Sequence, residues 1–145
     1  MYKHILVPTD GSTLSLKAAR AAARLASPLK ARITAFYVIP PFTPPMTSEG
    51  VAVRMQYSIR QYEEGARKLA DKALAKVAAA AGVKCDRATV FDDNPWRAII
   101  KAANSKKCDL IVMASHGRRG LAALLLGSET QKVLTHSKTP VLVCR

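Results

Sequence analysis

Short apolar runs recur along the chain at Lys3 to Val7, Arg32 to Ile39, Arg87 to Phe91, Leu110 to Ala114 and Pro140 to Cys144. Runs of this length, bounded by Pro, Gly, Asp or Ser, suit strands buried on both faces. Between them lie segments of helical periodicity. The first starts at Ser12 or Thr13, which can cap it, and runs to about Ala26, where Ser27-Pro28 closes it. Its apolar face is Leu14, Ala18, Ala21, Ala22 and Leu25, and its basic stripe is Lys17, Arg20 and Arg24. The second runs from about Gly50 or Val51 to Ala81, with Ile59, Tyr62, Ala66, Leu69, Ala73 and Val77 on one side and Gly82 as a stop. Asn94-Pro95 opens a third, with Trp96, Ile99, Ile100 and Ala103 on its apolar face, ending near Ser105. The last runs from about Glu129 to His136. Strands alternating with helices in this way predict a single α/β domain, residues 1–145, whose parallel sheet carries helices on both faces.

In an open parallel sheet, ligands bind beyond the carboxyl ends of the strands. The loops at that end begin at Pro8, Val38 and Ala114. The first holds the turn Pro8-Thr9-Asp10-Gly11. The second is the proline-rich stretch from Pro40 to Pro45, which is neither helix nor central strand and is long enough for a lid. The third follows Leu-Ile-Val-Met-Ala with Ser115-His116-Gly117-Arg118-Arg119-Gly120 and reaches Gly127-Ser128-Glu129-Thr130. Ser128 with Gln131 fits a capping box. A strand, a glycine-bearing loop and a helix N-terminus can gather backbone N–H groups around an anion.

That chemistry suits a nucleotide. Glycines let backbone approach phosphates, and the helix start near Ser128 offers unpaired N–H groups. Asp10 can accept from ribose hydroxyls or adenine nitrogens, or can simply hold its own turn. Arg118 and Arg119 can neutralise phosphates or stand solvated. Val38 can contact a base or belong to the core. The chain has no G-x-x-x-x-G-K-[ST] loop and no G-x-G-x-x-G after its first strand.

Other classes are constrained by composition. Three cysteines, Cys85, Cys108 and Cys144, lie far apart with no Cys-x-x-Cys, which argues against a disulfide framework and a zinc site. His4, His116 and His136 form no metal-ligand spacing. No apolar run approaches the roughly 20 residues that span a bilayer, and no secretory leader is visible, so a cytoplasmic protein is expected. The 23 Lys+Arg against 10 Asp+Glu give a net charge of +13. Such a field attracts polyanions, but the basic residues are spread along the chain without a run, so nucleic acid is a weakly supported partner.

Four segments together resemble the universal stress proteins: Ile5-Leu-Val-Pro-Thr-Asp-Gly-Ser, Leu110-Ile-Val-Met-Ala-Ser-His-Gly-Arg-Arg-Gly, Gly127-Ser128 and Thr139-Pro-Val-Leu-Val. They recur in order over the whole chain. The resemblance implies a Rossmann-like, five-stranded parallel sheet in the order 3-2-1-4-5 and a cytoplasmic dimer paired through the last strand, Pro140 to Cys144. One branch of that family binds ATP through Gly, two residues, Gly, nine residues, Gly, then Ser or Thr. Here the second and third glycines fall on Gly117 and Gly127, followed by Ser128, and the first is replaced by Ala114. By resemblance, Pro8, Thr9, Asp10 and Val38 hold adenosine. Ala114, Ser115, His116, Gly117, Arg118, Arg119, Gly120, Gly127, Ser128, Glu129 and Thr130 hold ribose and phosphates, with Mg or Mn bound through the phosphates, and Met113 belongs to the same nucleotide site. The expected function is an ATP-binding regulatory dimer in stress response, without protein metal ligands or catalytic residues. A nucleotide-free scaffold and a slow ATPase using His116 are the alternatives.

Overall fold

The structure is a computed structural model that describes residues 1–43, 52–117 and 126–145, with the backbone but not the side chains of 52–57. Its elements are β1 (His4–Pro8), α1 (Thr13–Leu29), β2 (Arg32–Ile39), α2 (Ala52–Ala81), β3 (Cys85–Phe91), α3 (Pro95–Ser105), β4 (Leu110–Ala114), α4 (Ser128–His136) and β5 (Val141–Cys144). The strands form one parallel sheet in the order β3-β2-β1-β4-β5. This is the expected architecture, and β5 is an edge strand.

The sheet separates two cores by the period-two rule of strands. Ile5, Val7, Ile33, Ala35, Leu110 and Val112 face α1 and α2. Leu6, Phe36, Ile111 and Met113 face the other way, against Ile99, Ala102 and Ala103 of α3 and Val133 of α4. The central strands are buried throughout, as their unbroken apolar runs require.

Two expectations for the helices are corrected. Helix α1 does not stop at Ser27-Pro28 but runs through Pro28 to Leu29. So near the end, proline removes only one helical donor, and Lys30 in the left-handed region (φ 52°) closes the helix while the Ala31 N–H reaches the Ala26 carbonyl at 3.0 Å. Its buried face is Ser15, Ala18, Ala19, Ala22, Ala23 and Ala26, one position away from the predicted one. Small side chains let the helix lie close to the sheet, and Leu25 stays 37% exposed. Helix α2 likewise buries Ala70, Ala73, Leu74, Val77 and Ala81 while Leu69 is 65% exposed. Gly82 (φ 63°) ends it as expected. Of the proline-rich stretch, Pro44 and Pro45 lie outside the described residues. Its start is held by the Tyr62 hydroxyl, which donates to the Pro40 carbonyl at 2.7 Å.

At the amino ends of the strands, the polar groups satisfy one another. The Asp109 carboxylate accepts the N–H of Lys3 at 2.8 Å and of His4 at 3.0 Å. Burial opposes ionisation of Asp109, but these donors outweigh it and hold the carboxyl below its usual value. The buried His4 ring places Nε2 at 2.8 Å from the Thr34 hydroxyl and Nδ1 at 3.1 Å from the Lys106 carbonyl. The Arg32 guanidinium also stands 3.3 Å from Nδ1, so that nitrogen lies between a carbonyl that accepts and a cation that donates, and Thr34 bonds Nε2 in either tautomer. Burial, then the nearby Arg32 guanidinium, lowers the His4 pKa. The neighbouring Cys108 thiol is pushed by burial up to about 11, which keeps it inert.

Candidate nucleotide site

The turn after β1 is self-satisfied. Thr9 extends the ladder by one residue, its N–H reaching the Phe36 carbonyl at 2.9 Å. Its hydroxyl accepts the Gly11 N–H at 3.0 Å and meets the Ser15 hydroxyl at 2.8 Å. Ser15 donates to the Ser12 carbonyl at 2.8 Å, so its single proton is used and Thr9 is the donor between the two. Gly11 at φ 79° makes the turn possible. Ser12 caps α1 by accepting the Ser15 N–H at 3.2 Å. The Ser12 N–H holds Asp10 Oδ1 at 2.9 Å. That bond sets the carboxylate's direction: a Cβ placed on Gly117 would stand 2.6 Å from Asp10 Oδ2. Two loops distant in sequence thus meet at a contact where any side chain at 117 would force the Asp10 carboxylate to shift.

The loop after β4 is gathered at both ends. Ser115 donates its N–H to the Cys144 carbonyl at 2.7 Å, and its carbonyl accepts the Gly127 N–H at 2.8 Å. A Cβ on Gly127 would lie 3.1 Å from the His116 Cα, again a close approach of backbone. The buried Thr130 hydroxyl donates to the Ala114 carbonyl at 3.0 Å, tying the start of α4 to the end of β4. The capping box expected at Ser128 does not form. Gly127 occupies the N-cap position and Ser128 is the first helical residue, one place too late for its hydroxyl to cap. Glu129 has a role that its sequence position did not show. Its carboxylate accepts the Trp96 N–H at 2.9 Å and the Lys132 ammonium at 3.1 Å. Pro95 has no N–H and Asn94 makes no side-chain cap, so Glu129 is the side chain that caps α3.

Between these loops, at the carboxyl ends of the strands, is a cavity of about 230 Å³. Its apolar walls are Pro8, Phe36, Val38, Pro95, Ile99 and Met113. Thr9, Asp10, Ser15, His116, Glu129 and Thr130 provide its polar groups, with Ala114 and Gly117 between them. Ten predicted residues therefore meet on one cavity: Pro8, Thr9, Asp10, Val38, Met113, Ala114, His116, Gly117, Glu129 and Thr130. Ser115 is buried without lining it, Gly127 packs against His116, and Ser128 is exposed on the first turn of α4. Arg118, Arg119 and Gly120 lie outside the described residues. Sequence reading missed Ser15, Phe36, Pro95 and Ile99. Phe36 was within reach, because it precedes Val38 by two residues and so shares its face of β2. Among the described residues no group of three or more His, Cys, Asp or Glu could hold a metal ion.

The family model of the universal stress proteins matches residues 1–145. The chain belongs to the universal stress protein family. It is 37% identical to a universal stress protein of Methanocaldococcus jannaschii over 147 aligned residues, covering 100% of this chain and 83% of that relative. A universal stress protein of Thermus aquaticus is 32% identical, with 100% of both chains covered. Among solved structures, a universal stress protein in complex with cAMP superposes with a TM-score of 0.67 at 26% identity, covering 99% of this chain and 97% of that one. This universal stress protein therefore shares its sheet order with family members and carries its cavity where open α/β sheets bind ligands.

Proposed function

We propose that this universal stress protein binds ATP at the carboxyl ends of its strands and acts as a nucleotide-responsive dimer in the cytoplasm during stress. The observation that carries this reading is the meeting of Asp10 and Gly117 on one cavity. Its volume is below the roughly 300–1,000 Å³ of pockets that bury a drug-sized ligand, so it suits a base and ribose with the phosphates outside. Val38, Pro8 and Met113 supply apolar contact for the base, and Thr9 and Asp10 supply polar groups. The phosphates extend toward Ala114 to Gly117 and the N-terminal turn of α4, where N–H groups and the helix dipole favour negative charge. Mg or Mn then rides on the phosphates. The relative solved with cAMP supports an adenine nucleotide. The edge position of β5, where Leu142 is 39% exposed, supports pairing through that strand.

Nucleotide analysis of the denatured protein by ion-exchange chromatography, with calorimetric titration of Mg-ATP into stripped protein, tests this. Co-purified ATP or measurable affinity is expected. No binding by folded protein at millimolar Mg-ATP would overturn it. A nucleotide-free scaffold is favoured by Ala114, whose methyl group stands at the cavity wall where the ATP motif has glycine. If Ala114→Gly creates binding that the parent chain lacks, the scaffold reading holds for the natural sequence. Slow hydrolysis is the remaining alternative, because His116 lines the cavity. Phosphate release that is unchanged in His116→Ala would remove His116 from that role.

A further inference from the structure

A second concave surface lies away from the cavity, along α1. Three shallow depressions share walls. The first is bounded by Lys17, Arg20, Arg24 and Arg145. The second shares Arg20 and Arg24 with it and has Ala80, Ala81 and Val83 opposite. The third shares Ser27 and Val83 with the second and adds Lys30, Arg32 and Lys84. They lie side by side as a segmented trough along α1. From Lys17 to Lys30 it follows α1 for about 20 Å at the helical rise of ~1.5 Å per residue. Against its cations stands one carboxylate on its walls, Asp86. All of these basic side chains are exposed. Among the described residues the one ion pair is Lys132 with Glu129, on α4, so none of the trough's cations is neutralised there.

We propose that this trough binds the phosphate backbone of a nucleic acid without reading its sequence. Four separate stretches of chain supply the charge: α1 and its cap, the start of β2, the α2–β3 connection and the residue after β5. A segmented groove about 20 Å long, with cations along α1 and at both of its ends, can follow several successive phosphates of one strand. Its walls hold no aromatic side chain, so stacking on bases is not available. A bilayer surface fits less well, because membrane docking wants a broad projecting apolar face, and among the residues lining the trough Val83, 37% exposed, is the one large apolar side chain at the surface.

The test is fluorescence anisotropy of a labelled duplex DNA titrated with the full chain. With three to five phosphates engaged, affinity is expected to fall on the order of a hundredfold between roughly 50 and 200 mM salt. Arg20→Glu with Arg24→Glu should weaken binding at low salt by about tenfold or more. Arg97→Glu with Lys101→Glu makes the same charge change on α3, across the sheet, and should have an effect under about threefold. Circular dichroism melting of each variant confirms its fold, and Arg20→Gln with Arg24→Gln replaces the reversal if that variant does not fold. Equal losses from the α1 and α3 variants would overturn the proposal, since the net charge alone would then explain binding. Binding to phosphatidylserine vesicles but not to DNA would overturn it in favour of a membrane surface. No binding at low salt would end it.

Discussion

At the amino ends of the strands, the Asp109 carboxylate accepts the backbone N–H groups of Lys3 and His4, and the His4 ring bonds the Thr34 hydroxyl. At the carboxyl ends, the side chains also satisfy the turns, but they do so around an open volume, and the closest approaches are between loops. One end is tied to its own fold. The other places a carboxylate, small residues and a helix start around a space. The contacts around Asp109 therefore serve the fold and those around the cavity serve nucleotide recognition, and substitutions at the two sites should separate these properties.

The largest separation is expected from Gly117→Val. Its side chain meets Asp10 Oδ2, so nucleotide affinity should fall at least tenfold, about 1.4 kcal/mol, with a smaller change in thermal stability. Calorimetry and a melting curve on the same sample check both halves. Asp109→Ala should do the reverse. It removes the acceptor of two backbone N–H groups, one exposed and one partly buried, and should cost about 1 kcal/mol in denaturant unfolding while leaving affinity unchanged. Thr130→Val lies between them. It leaves the buried Ala114 carbonyl without this donor, should cost about 1 kcal/mol, and should also loosen binding, because it frees the start of α4. A Thr130→Val protein with lowered stability and unaltered affinity would show that α4 does not position the ligand.

The smallest effect is a pH dependence at the amino end. His4 has its pKa lowered in the folded state, so the unfolded chain binds its proton first as pH falls. Its contribution is fully present above the unfolded pKa of about 6.5 and is lost as pH falls below that value toward the folded pKa. The melting temperature should therefore decline between about pH 7 and pH 5, and His4→Gln should flatten that slope. An identical slope in the variant would assign the effect elsewhere.

Much of this was legible in the sequence, and the exceptions have physical causes. Strands β2 and β4 match the expected limits residue for residue, since unbroken apolar runs leave little choice. The buried face of α1 was misjudged because its leucines are the more hydrophobic residues, whereas close packing on the sheet selects alanine. Pro8, Asp10, Val38 and Gly117 could be assigned to one end of the sheet from their loops alone. That Glu129 caps another helix could not, because the missing cap on α3 is visible only when α4 is beside it. Of the trough, the stripe Lys17, Arg20 and Arg24 was legible from helical spacing, but Lys84 and Arg145 come from distant parts of the chain and join it only in space.

The contact between Glu129 and Trp96 has one more consequence. The chain contains a single tryptophan. Its backbone is held by the first turn of α4, its ring lies 4.7 Å from that of His136 at the other end of the same helix, and Pro95 beside it lines the cavity. Any tilt of α4 when the cavity fills changes the indole's surroundings at both points. Titration of Mg-ATP should therefore shift the intrinsic emission, a label-free gauge of the proposed site, and an emission unchanged at saturation would show that α4 keeps its place.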